Sequence, residues 1–98
     1  MPLTPLHEAR RLTEAMLRLA KEGEWDGVPE LERARQTCLA GLQLAGMDEA
    51  TEQAAIDLLR AIQAMNRELV DLSEQERSRV REALLSLRKG DRARRAYR

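Results

Sequence analysis

Phenylalanine is absent from this sequence, and tryptophan and tyrosine occur once each. With three Val and two Ile beside sixteen Leu and fourteen Ala, β-branched and aromatic residues are too few to furnish the half-buried faces of a sheet. The palette is one of helix formers, which excludes most β architectures. A single cysteine, Cys38, leaves no internal disulfide. His7 is the one histidine, so the usual His and Cys metal-ligand sets have no basis and no cofactor is expected. The longest apolar run, near Cys38, is about five residues, far below the roughly 20 that cross a bilayer. The opening MPLTPLHEARR lacks the apolar segment of a secretory signal, and the chain reads as cytosolic. No phosphate-cradling Gly loop, nucleophile elbow or zinc-like spacing occurs. Ser73, Ser78 and Ser86 stand in a charged stretch with no histidine near them, and the carboxylates are spread as helix charge pairs. An enzyme is not expected.

What is present is one small helical domain over residues 1–98, burying roughly 60 to 65 per cent of the surface its unfolded chain exposes. Charged residues make up 35% of the chain and sum to zero, which argues against a general polyanion binder. The zero hides an asymmetry. From Arg88 onward six Lys or Arg stand against Asp91, a net of +5, so the first 87 residues carry −5. A basic tail over residues 90–98 is expected to follow an acidic body.

The chain is organised around its third helix. Between Asp48 and Lys89 there is no Pro or Gly, and apolar residues recur at helical spacing through Ile56, Leu59, Ile62, Met65, Leu69, Leu72, Val80, Leu84 and Leu87. A helix over about 48–89 would span roughly 60 Å. Ser73-Glu74-Gln75-Glu76 matches a capping box, so a restart at Ser73 is the alternative to an unbroken helix. Helix 1 is expected over about 4–22, with Thr4 as N-cap, Pro5 at the first position, Leu6, Ala9, Leu12, Ala15 or Met16, Leu19 and Ala20 on one face, and Gly23 as its terminus. Helix 2 is expected over about 26–45, capped by Asp26, tolerating Pro29 in its first turn, and presenting Val28, Leu31, Ala34 or Arg35, Cys38, Leu42 and Ala45. Trp25 belongs between these two helices near their junction, and Cys38 reads as a small buried hydrophobe. Gly46 ends helix 2 and Asp48 caps helix 3.

The fold class that follows is all-α: an antiparallel hairpin packed on a long third helix, with coiled-coil character. Two helices of about 30 Å cannot cover a partner of twice that length. Part of the Leu/Ile/Met stripe is therefore expected to receive an amphipathic helix from another chain, with a homodimer as the purely structural alternative. A nucleic-acid or regulatory adaptor working through the basic tail is the other reading; it lacks helix-turn-helix spacing and stacking aromatics apart from Tyr97, so nucleic acid is not the expected partner.

Particular residues also carry a family resemblance. Met16-Leu17-Arg18-Leu19-Ala20-Lys21-Glu22-Gly23-Glu24-Trp25-Asp26, followed by Leu31-Glu32 and Arg35, resembles the opening of FliT-type flagellar export chaperones. Ile62, Asn66, Glu68-Leu69, Leu72, then Leu84, Leu87-Arg88, Gly90, Ala93 and Ala96-Tyr97 resemble that family's third helix and closing pattern. The resemblance implies a cytosolic chaperone of flagellar type III export whose client is the filament-cap protein FliD. It further implies delivery to the export gate FlhA and the export ATPase complex. By resemblance the groove positions are Ile62, Met65, Leu69, Leu72, Val80, Leu84 and Leu87. Longer members carry a further C-terminal helix as an inhibitory lid; here the corresponding expectation is a short tail in which Tyr97 folds back near Leu84 and Leu87.

Overall fold

A computed structural model describes residues 3–96, and over these the chain folds as three helices. α1 runs Thr4–Lys21, a 3-10 turn follows at Trp25–Gly27, α2 runs Val28–Ala40 and α3 runs Glu49–Ala96. The all-α class and the hairpin packed on a long third helix are as the composition and periodicity indicate.

α1 is the centre of the body. It packs against both α2 and α3, whereas no Cα of α2 comes within 8 Å of one in α3. A helix held between two neighbours buries more than one stripe, and Thr13 and Leu17 join Leu6, Ala9, Leu12, Met16 and Ala20 inside. α2, touching α1 along one side only, has no fully buried residue. The interior falls into two apolar clusters. Leu6, Ala9, Ala55, Leu58 and Ile62 form the first, with Cys38, Leu42 and Met47 half-buried against it. Met16, Leu17, Ala20 and Leu69 form the second, with Trp25, Leu31, Met65 and Leu72 against it.

The helix ends show which local signals prevailed. At the end of α1, Gly23 takes φ 77, its N–H donates to Ala20 O at 3.1 Å, and Glu24 N–H donates to Leu19 O at 2.8 Å. This pair of bonds is the Schellman closure, which needs a left-handed residue that glycine adopts without strain. Asp48 caps α3 as expected, its Oδ1 accepting from Thr51 N–H at 2.7 Å.

Four local expectations are corrected. Thr4 is the first helical residue of α1 and not its cap, because Leu3 packs on the first cluster and its carbonyl accepts from His7 N–H at 3.0 Å. Asp26 does not cap α2: it lies in the 3-10 turn, and Gly27 stands before Val28 without any side-chain cap bond. A Cβ at Gly27 would stand 3.0 Å from Leu19 Cδ1, so the chain passes close to α1 there and a larger residue would require the Leu19 side chain to shift. α2 stops at Ala40 and not near 45, since the link to α3 must cross the end of α1, and it tucks Leu42 and Met47 onto the first cluster as it does so. Finally, residues 90–96 are not a separate tail. α3 continues through Gly90 to Ala96 without a break at Ser73, for one helical Gly costs only about 1 kcal/mol against a run of strong helix formers on both sides.

The result is an elongated molecule of 75 × 20 × 19 Å with a radius of gyration of 20.1 Å. The hairpin turn reaches α3 around Leu72–Arg79. Beyond that point Val80–Ala96 projects as a single helix about 26 Å long.

Candidate partner-binding cleft

Because α2 and α3 both lean on α1 and their backbones do not approach each other, a cleft lies between them, bridged only by side chains. Its half nearer the hairpin turn, of ≈ 320 Å³, is walled by Trp25, Val28, Pro29 and Glu32 on one side and by Asn66, Leu69, Val70 and Ser73 on the other, with Met16 of α1 among its lining residues. The other half, ≈ 500 Å³, is lined by Gln36 and Leu39 of α2 and by Ile62, Gln63 and Arg67 of α3. Arg35 and Asn66 line both halves. Val70, 47% exposed, is a large apolar side chain left open in this cleft.

One polar cluster ties the three helices together at the middle of the cleft. Thr13 is fully buried, and its hydroxyl donates to Ala9 O at 2.8 Å. Arg35 Nη1 donates to Asn66 Oδ1 at 3.0 Å and to Thr13 Oγ1 at 3.3 Å. At helix 2's ambiguous position, then, Arg35 faces inward and Ala34 is exposed. Toward the turn, Lys21 Nζ and Glu68 Oε1 meet at 3.1 Å between α1 and α3, an exposed pair of small energetic weight. Where the hairpin turn meets α3, Glu76 accepts from Arg79 at 2.6 Å, which holds its carboxyl below the usual range. Glu8 is lowered in the same way by the hydrogen bond from Arg11.

The residues expected to line a groove divide into two sets. Ile62 and Leu69 are buried at 7% each, and Met65 and Leu72 are half-buried against the second cluster, so these four belong to the body's interior. Ile62 and Leu69 also form part of the cleft wall. Val80, Leu84 and Leu87 are 43%, 54% and 68% exposed on the arm. Tyr97 lies outside the described residues.

Steps of three and four residues connect Asn66, Val70, Ser73, Arg77, Val80, Leu84 and Leu87, so the cleft edge of α3 runs on into the arm as one seam. This seam differs from the expected stripe through Met65, Leu69 and Leu72, because α1 already covers the Leu69 side. Val70, Trp25, Val28 and Arg35 were not legible as cleft residues. The steps of seven and then three residues from Val80 through Ser73 back to Val70 were the signal available for one of them.

Among the described residues no group of three or more His, Cys, Asp or Glu could hold a metal ion, and no helix is long and apolar enough to cross a membrane. An open apolar cleft on a small helical body, continued by an exposed helical seam, defines a helical protein-binding module. A family model described as "Flagellar protein FliT" matches residues 3–98, and the chain belongs to that family, one of flagellar export chaperones. No curated protein and no solved structure matches it.

Proposed function

We propose that this chain is the cytosolic export chaperone of the flagellar filament-cap protein, a FliD-like client whose amphipathic C-terminal segment it holds as a fourth helix. The observation that carries this reading is the unfilled cleft between α2 and α3 together with its continuation along Val80, Leu84 and Leu87. Three helices of a four-helix arrangement are in place, and the missing position carries apolar residues on both walls around the polar pair Arg35 and Asn66. From Asn66 to Leu87 the seam covers about 32 Å, the length of a helix of roughly 20 residues. Holding that segment covered keeps the client from assembling early and presents it to the export gate FlhA and the export ATPase complex.

Charge favours a client over a second copy on the arm. Val80–Ala96 carries six basic residues against Glu82 and Asp91, a net of +4, so two arms side by side repel, whereas an acidic amphipathic helix is attracted.

The test is calorimetric titration of the purified chain with a peptide from the C-terminal region of the cap protein, repeated with Val70→Asp and Leu84→Asp. Both positions are exposed, so both variants should keep wild-type helicity. Micromolar binding with a negative heat-capacity change, lost in both variants, is the expected result. Undiminished binding by both variants would remove the seam from the client site. No binding by the wild-type chain, with a dimer mass that persists on dilution, would assign the seam to a homodimer instead.

A further inference from the structure

The guanidinium of Arg35 is a half-buried cation with no ion pair among the described residues. Glu32 lies three residues earlier on the same helix and lines the same cleft, yet does not pair with it. Both hydrogens of Nη1 are used, on Asn66 Oδ1 and Thr13 Oγ1, which fixes the plane of the group across the cleft. A guanidinium donates from every one of its nitrogens, so Nη2 and Nε retain donors without a protein acceptor among the described residues. While the cleft is open, water serves them. A helix that closes the cleft removes that water, and leaving a buried cation unpaired then weakens binding strongly.

We infer that Arg35 is a specificity-determining residue that reads a carboxylate on the helix entering the cleft. The partner it fits is an amphipathic helix with one Asp or Glu set within its apolar face where it meets Asn66, and with apolar residues at the i+3, i+4 and i+7 spacings that reach Val70 and the seam beyond. The free Nε/Nη2 edge of the guanidinium matches a carboxylate's paired oxygens, which a lysine in the same place would not. This inference rests on the reading of the cleft as a client site and adds which clients it admits.

The experiment is a double-mutant cycle read by calorimetry on the full chain. One side is wild type, Arg35→Gln and Arg35→Lys. The other is the cap-protein peptide and its versions with each Asp or Glu changed singly to Asn or Gln. One acid is expected whose replacement weakens binding to the wild-type chain at least about ten-fold but leaves binding to Arg35→Gln unchanged, with Arg35→Lys restoring only part of the loss. Glu32→Gln, which removes the carboxylate that lines the cleft with Arg35, is expected to tighten binding of the acidic peptide.

A merely structural Arg35 gives a different pattern: Arg35→Gln weakens every peptide by the same factor, acidic or amide, and the inference is overturned. Asn66→Asp guards against loss of folding, because it places a carboxylate 3.0 Å from Nη1 within the protein itself. That variant should be at least as heat-stable as wild type and should bind acidic and amide peptides alike. Continued preference of Asn66→Asp for the acidic peptide would also overturn the inference. If no cap-protein peptide binds at all, the identity of the client is at fault. A designed Leu/Glu amphipathic helix and its Leu/Gln counterpart then test Arg35 on their own, and equal affinity for the two would overturn it.

Discussion

Two leucines of the same stripe have opposite fates. Leu69 is 7% exposed within the second apolar cluster, and Leu84 is 54% exposed on the arm. Leu69→Asp buries an unpaired carboxylate at a cost of several kcal/mol, a large part of the 5–15 kcal/mol that holds a small domain together. Circular dichroism should find the body largely unfolded in that variant. Leu84→Asp should change stability by no more than about 0.5 kcal/mol in urea titration, because the position is already wet. Thr13 supplies a third case at this scale. Thr13→Val keeps the shape but removes the bond to Ala9 O and the acceptor used by Arg35, and should cost about 1 to 2 kcal/mol. Sequence periodicity detected both leucines and ranked them alike, because spacing reports which face of a helix is apolar and is silent on whether a neighbour covers it.

Among the elements, α3 is the one whose two ends behave differently. At its start the Asp48 carboxyl is held below its ordinary value of 3.8 by hydrogen bonds from Thr51, those of its side chain first and its backbone N–H second. A carboxyl with a lowered folded-state pKa contributes stability above its unfolded value, and this is lost as pH falls through the lowered one. Asn caps nearly as well as Asp, so Asp48→Asn should match wild type at neutral pH. In acid the wild-type chain should lose melting temperature relative to that variant, while a difference between the two that stays constant with pH would mean the cap does not titrate. At the far end Gly90 is helical with open space around its Cα. Gly90→Ala should raise the arm's local helix stability by up to about 1 kcal/mol, visible as slower amide exchange over 80–96 and as no change in the body. Gly23→Ala, by contrast, forces a side chain into φ 77 and should destabilise the hairpin by about 1 kcal/mol or more.

Taken whole, the molecule is far from a sphere. A compact chain of this length has a radius of gyration near 13 Å, against 20.1 Å here. X-ray scattering should return an elongated particle whose longest dimension is unchanged when a client helix fills the cleft; a shortened particle would mean that the arm folds inward on binding. Removing residues 80–98 should leave the melting temperature of the body nearly unchanged, since the buried residues of α3 end at Leu69.

The sequence by itself determined the class, the three helices, the Gly23 and Asp48 punctuation and an α3 too long for the rest of the chain to cover, though not its continuation through Gly90 to Ala96. These follow from local rules: periodicity, caps and the 1.5 Å rise, each of which acts within a few residues. Only the tertiary structure decided that α1 lies between the other two helices and leaves α2 and α3 apart. That placement turned Ile62 and Leu69 into core, opened the cleft beside Val70, and set Arg35 across it. The physical reason is that burial depends on which surfaces meet, and residues as distant in the chain as Thr13, Arg35 and Asn66 acquire a common environment only once the helices have packed.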